Sequence, residues 1–363
     1  MTTSAHALFR EKKVFGGLDG LRFFSIFAVV WHHSVGGLTF FPATKYGFLG
    51  VDLFFVISGF LIVTLLLREK SVKGDISLKA FYIRRSLRIF PLYYGFILAL
   101  ALVYFLFNRE SEFGIKFIND LPVYLLYLGN FIPVSLGIVW SLASEEQFYL
   151  LWPFFEKYIK NYIIHILAFG LVVNQIINFQ RAAIADWLGI PQLNDLPIMQ
   201  ATFTPILLGV ALAHILHNGS SFKRIQKLVT SRYSALLWFV ILILVCSFLP
   251  KDISGMPRLT VQINMMLLIG AVVINEQNQL MPLLKFPAFA RIGVISYGIY
   301  LFHIHAIIVA EKLLSTIGIE FKIATFILSF AIVIAIAELS YRFYETPFLR
   351  FKAKFSAVHQ NHV

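Results

Sequence analysis

Cysteine, acidic side chains and long polar stretches are what this 363-residue chain has least of. Its one cysteine, Cys246 in a Leu/Ile/Val run, excludes an internal disulfide and a thiolate metal centre, and reads as a small apolar filler. Charged residues make up 14% of the chain, and no polar stretch exceeds about twenty residues, which leaves no room for a separate water-soluble domain. A cleavable signal peptide is not expected either. The first 17 residues are polar and basic, and the apolar segment behind them is long enough to span a bilayer.

Hydrophobic residues make up 58% of the chain, the mean hydropathy is +0.77, and apolar stretches of about 20 residues recur from end to end. This composition predicts an all-α integral membrane protein. About ten transmembrane helices are expected, near 18–38, 47–68, 88–107, 139–158, 161–181, 199–217, 233–249, 259–276, 291–315 and 322–343. The net charge of +12 does not suggest nucleic acid once its distribution is considered. With the N-terminus inside, 22 of the 31 Lys and Arg fall at cytoplasmic ends and 8 outside, while Arg22 lies within the first span. This positive-inside bias places both termini in the cytoplasm. Residues 121–136 are apolar but broken by Pro122, Gly129 and Pro133, so a short re-entrant or interfacial segment is expected there.

Within the first span, Arg22 and His33 are eleven residues apart. At 100° per residue that is three turns plus about 20°, so both point the same way, roughly 16 Å apart. Ionisable groups in a bilayer are costly and mark function by default. Counting inward from the expected span ends puts His33, Asp52, Glu145, Glu146 and His303 within about one helical turn of one level, in the outer half. A histidine with carboxylates at one depth is equipped for general-base catalysis, the acid orienting the ring. Blander roles are a hydrogen bond from His33 to a neighbouring helix, and an ion pair or cap for Asp52 and Glu145. His32 and His305 read as bystanders, each facing away from its neighbouring candidate.

A second constellation sits at the cytoplasmic side. Arg85 and Arg88 are i,i+3, and Arg84 and Arg88 are i,i+4, giving a cationic patch if this entry is helical. Guanidinium forks hold phosphates bidentately, which suits a diphosphate ligand; anchoring at anionic headgroups is the alternative. Arg22 lies close enough to join the same ligand, or snorkels alone. Gly50 and Gly59 permit close helix approach. Ser58 beside them is a nucleophile in principle, but no sequence feature places a base next to it.

Six stretches in order carry a resemblance: Gly17-Leu-Asp-Gly-Leu-Arg22 with the spacing to His33, Gly50-Val-Asp-Leu-Phe-Phe-Val-Ile-Ser-Gly59, Arg85-Ser-Leu-Arg88, Trp140-Ser-Leu-Ala-Ser-Glu145 through Pro153, Ile295-Ser-Tyr-Gly-Ile-Tyr-Leu-Phe-His303 and Tyr341-Arg-Phe-Tyr-Glu-Thr-Pro347. From about Gly17 to Pro347 the chain resembles the acyltransferase-3 family of integral membrane acyltransferases, as a single acyltransferase domain. The resemblance implies transfer of an acyl group, often acetyl, from cytoplasmic acyl-CoA as co-substrate to a hydroxyl of a glycan, lipid or small-molecule acceptor. No permanently bound cofactor or metal is implied, and a bacterial cytoplasmic (inner) membrane is the expected home. The family's Arg-x10-His pair maps onto Arg22 and His33, its Arg-x-x-Arg pair onto Arg85 and Arg88, and its Ser-Leu-x-x-Glu onto Glu145. Asp52 joins His33 and Glu145 as a catalytic candidate, while Ser58, Tyr149, Tyr297 and His303 are candidate substrate contacts. Where relatives often read His-Trp-Pro, this chain has His303-Ile304-His305, which leaves the role of His303 open. The last residue lies 16 positions after Pro347, so the chain reads as a stand-alone member without the extracytoplasmic SGNH-type domain that many relatives carry.

The mechanism expected on these grounds docks the CoA diphosphate on Arg85, Arg88 and Arg22. His33 then deprotonates the acceptor hydroxyl, with Glu145 or Asp52 orienting it. A transporter would also hold charges at mid-membrane, but should show broken helices paired across an inverted repeat, which the sequence does not display. A non-catalytic scaffold of the same fold would be free to lose His33.

Overall fold

The computed structural model describes residues 5–12, 14–36, 42–159, 161–200 and 203–355. Helices account for most of these residues, and no strand occurs among them. Eleven helices form the body: α1 (Gly17–Val35), α2 (Gly50–Lys73), α3 (Leu78–Phe107), α4 (Val139–Tyr158), α5 (Ile163–Trp187), α6 (Thr204–His217), α7 (Gly219–Val229), α8 (Ser234–Ser247), α9 (Met256–Ile274), α10 (Ser296–Thr316) and α11 (Lys322–Ser340).

Local chemistry sets several of their ends. α2 stops at Gly74, whose φ of +78° suits glycine, and α3 starts at Ser77, whose hydroxyl accepts from the Ala80 amide at 3.3 Å. Asn218 caps α7 by accepting from the Ser220 and Ser221 amides. Each of the ten expected spans overlaps a helix, although residues 37 and 38, expected to close the first, and 201 and 202, within the sixth, lie outside the described residues. Six helical stretches are long and apolar enough to cross a membrane, those containing α2, α3, α5, α9, α10 and α11. The bent pair of α7 and α8, which turns by 70°, would make a seventh.

Residues 121–136 do not form a continuous helix. A five-residue helix (Leu121–Leu125) gives way to turns, with Tyr127 at a φ of +52°. Side chains satisfy several of its backbone groups. The hydroxyls of Tyr93 and Tyr94 donate to the carbonyls of Tyr124 and Leu125, and the Asp120 carboxylate accepts from the Ser135 amide and hydroxyl.

Both ends of the described chain meet at one face of the bundle. Arg10 donates to the carbonyl of His217 at the end of α6, and Lys12 to those of Val273 and Ile274 at the end of α9. Burial pushes the Lys12 ammonium below its usual range. At the same face Arg68 donates to the Phe9 carbonyl, and Arg84 bridges Glu69 and the Phe355 carbonyl.

α2 and α6 pack backbone to backbone. A Cβ added at Gly59 would overlap the Ile206 carbonyl, and one at Gly209 the Val56 carbonyl. Gly59→Ala is therefore expected to cost about 1–3 kcal/mol through overpacking and to lower the melting temperature of the detergent-solubilised protein. Gly137→Ala, where an added Cβ meets nothing within 4 Å, should melt like the wild type. Equal melting of the two variants would contradict this contact.

Candidate active site

The crossing of α1, α2, α3, α4 and α10 encloses a cavity of about 120 Å³. Arg22 enters it from α1, Ser58 from α2, Arg85 and Arg88 from α3, and Tyr297 from α10. The i,i+3 spacing puts both α3 arginines on one face, as expected. Glu145, Glu146 and Tyr149 come from α4. The Ser58 hydroxyl donates to Glu145 Oε1, and the Tyr149 hydroxyl donates to the same oxygen at 2.6 Å. A carboxylate thus stands beside Ser58 after all, brought from 87 residues away. The Arg85 guanidinium lies over the Tyr149 ring, 4.9 Å from its centroid. Arg22 pairs with Asp19 at 2.8 Å, while Arg88 reaches the Val294 carbonyl at 3.5 Å through Nη2 and keeps Nη1 buried without a hydrogen-bond partner.

A larger cavity of about 610 Å³ surrounds the C-terminal end of α1. His33 lines it and faces open space. Behind His33 stands His303, fully buried, with ring centroids 5.0 Å apart. His303 Nδ1 lies 2.6 Å from the Tyr300 carbonyl. A carbonyl only accepts, so Nδ1 carries the hydrogen, and the neutral ring keeps its lone pair on Nε2. That Nε2 is buried with no hydrogen-bond partner.

Three expectations need correction here. Asp52 does not serve His33: its carboxylate takes two hydrogen bonds from Arg258, at 2.9 and 2.7 Å, and a third from Gln262 at 2.8 Å. Arg258, counted by the sequence as an outer loop charge, is buried as its partner. Glu145 is not level with His33 either. It sits in the cavity with the arginines, because residue counts along separate helices say nothing of their relative axial offset. Finally, His32 and His305 do not face away from the space that His33 faces: all three line the larger cavity. That cavity wraps the end of α1 broadly enough to meet two adjacent faces. Among the described residues, no group of three or more His, Cys, Asp or Glu is placed to hold a metal ion.

Val51 and Tyr300 line both cavities, so the arginine-lined and histidine-lined spaces share a wall. Tyr300 is held there by its hydroxyl, which bonds Ser141 at 2.7 Å and the Ile138 carbonyl at 3.0 Å.

The acyltransferase-3 family model, described as an acyltransferase domain, matches residues 15–341. The chain belongs to this family. It is 30% identical over 367 residues to the peptidoglycan O-acetyltransferase OatA of Listeria monocytogenes, covering 93% of this chain and 56% of the relative. It is 31% identical to YrhL of Bacillus subtilis, provisionally described as a peptidoglycan O-acetyltransferase, over 91% of this chain and 54% of that one. A protein of Staphylococcus aureus, provisionally described as an O-acetyltransferase, is 27% identical over 95% and 59%. The chain therefore spans a little over half the length of these curated relatives. No solved structure matches it.

In this family member Asp52 is fully buried and Arg258 nearly so, and breaking the pair from one side should be worse than removing both charges. Arg258→Met is expected to destabilise by about 3–5 kcal/mol, and adding Asp52→Leu to recover a large part of that in thermal unfolding. A double variant no better than the single one would show that the pair is not the source of the loss.

Proposed function

We propose that the protein is a membrane O-acyltransferase that takes an acyl group, acetyl by preference, from acyl-CoA on the cytoplasmic side and transfers it to a hydroxyl presented in the histidine-lined cavity. The observation that carries this reading is the shared wall at Val51 and Tyr300 between an arginine-rich cavity and the cavity of His33. Arg22 and His33 are eleven positions apart on α1, roughly 16 Å along its axis, a distance comparable to an extended pantetheine arm. The phosphates then bind Arg22, Arg85 and Arg88 while the thioester arrives beside His33. Glu145, Tyr149, Ser58 and Tyr297 offer acceptors and donors to the amides of the passing arm.

His33 takes the proton from the acceptor hydroxyl as its oxygen attacks the thioester carbonyl. When the tetrahedral intermediate collapses, the thiolate leaves and recovers that proton from the imidazolium. With Asp52 and Glu145 engaged elsewhere, His303 is the group packed behind His33 that positions it, and its unpartnered Nε2 lone pair is free to accept from the imidazolium as His33 gains the proton. The named activity of the relatives points to a peptidoglycan-type sugar hydroxyl as the acceptor class. Ten spans with both termini cytoplasmic, in a bacterial inner membrane, agree with the gathering of both chain ends at one face and with the Lys/Arg bias.

Free-thiol release from acetyl-CoA by the purified protein in nanodiscs tests this. His33→Ala should lower turnover by about 10²–10⁴-fold with melting unchanged. Retained turnover would refute His33 as the base, and substrate uptake into vesicles without acyl-CoA would favour a transporter. His303→Gln should lower kcat and alter its pH profile while KM for acetyl-CoA stays the same. A change confined to KM would show that His303 does not act through His33.

A further inference from the structure

We propose that Lys352, on the short helix Thr346–Ala353, is a fourth phosphate-binding cation of the donor site, which makes that C-terminal helix part of the acyl-CoA site. The inference deepens the acyltransferase reading and rests on it.

Arg22, Arg85 and Arg88 face a second space besides the one they share with Glu145. This cavity, of about 130 Å³, is lined by the three arginines and Lys352, with Asp19 as its one carboxylate-bearing lining residue. Asp19 is already bonded to Arg22. Three arginines and a lysine facing one small space repel one another, and the one carboxylate in the lining offsets only part of that charge. Arg88 shows where hydrogen-bonding capacity is left over: Nη1 is buried with no partner. Glu345 attracts Arg88 electrostatically, but no hydrogen bond joins the two among the described residues. A group with several anionic oxygens meets all of these needs, and phosphate is the natural one. The polyphosphate end of acyl-CoA carries a diphosphate and a separate ribose phosphate, more charge than three arginines offset, and Lys352 supplies the remainder.

The fold brings this helix into place by specific contacts. α11 ends in a π-helical turn, Tyr341–Glu345, which redirects the chain. Tyr344 donates to the Pro91 carbonyl at 3.0 Å, docking the turn on α3. Beyond the helix, Arg84 donates to the Phe355 carbonyl at 2.8 Å while pairing with Glu69. Arg84 thus fastens the chain that carries Lys352, and its neighbours Arg85 and Arg88 face the cavity. The family match covers residues 15–341, so this helix lies outside it.

An anionic lipid headgroup presents the same phosphate chemistry, and the test separates the two sources. CoA binding is measured on the full chain in phosphatidylcholine nanodiscs for wild type, Lys352→Ala, Lys352→Arg and Arg88→Ala. Lys352→Ala should weaken CoA roughly tenfold, the loss of one charge-assisted contact, and Lys352→Arg should restore it. KM for acetyl-CoA should rise in parallel with kcat unchanged. Full CoA affinity in Lys352→Ala, with binding lost in Arg88→Ala, would overturn the proposal and leave the acyl-CoA reading standing. So would a Lys352-dependent thermal stabilisation by phosphatidylglycerol without any change in CoA affinity. Failure of the wild type to bind CoA would overturn both.

Discussion

A charge held away from water must be paired, and that constraint sorts the buried ionisable side chains of this protein into two groups. The first group is satisfied within the protein. Asp52 is held by Arg258 and Gln262, and Glu156 by His214 at 2.8 Å and the Trp152 indole at 3.0 Å. These arrangements hold α2, α4, α6 and α9 together. The second group keeps unspent hydrogen-bonding capacity and includes Arg88 Nη1, on a cavity-lining arginine, and His303 Nε2, buried behind His33. Leftover capacity on a guanidinium that lines a cavity suits an anionic ligand.

Close backbone contact supplies the rigidity that such a site needs. Gly293 lets the Pro287–Val294 helix touch α1 through the Asp19 backbone, Gly20 lets α1 touch the backbone of Leu284, and Gly59 and Gly209 do the same for α2 and α6. Arg22 and Ser58, on α1 and α2, are therefore carried on helices whose spacing is fixed by carbonyl contacts rather than by adaptable side chains. Positions set this way tolerate little drift, which suits the proposed transfer.

What was legible in the sequence was periodic. The Arg22–His33 spacing and the Arg85–Arg88 spacing follow from 100° per residue, and both survive in the structure because each lies within a single helix. The broken segment near 121–136 was legible from its proline and glycine. Pairings between helices were not. Arg258 meets Asp52 across 206 residues and Glu145 meets Ser58 across 87, and no local pattern encodes either. Depth counting failed for Glu145 because it treats helices as level and straight. Helix-face angles did not show that His32 and His305 line the same cavity as His33, because that cavity reaches more than one helix face.

The central claim is that acyl-CoA spans the wall between the two cavities, phosphates on the arginines and thioester end at the histidines. Cryo-electron microscopy of the protein in a nanodisc with CoA bound tests it most directly. Density for the phosphates against Arg22, Arg85 and Arg88, with the thiol beside Val51, Tyr300 and His33, is the predicted result. CoA density outside these cavities, or with its thiol pointing away from His33, would contradict it.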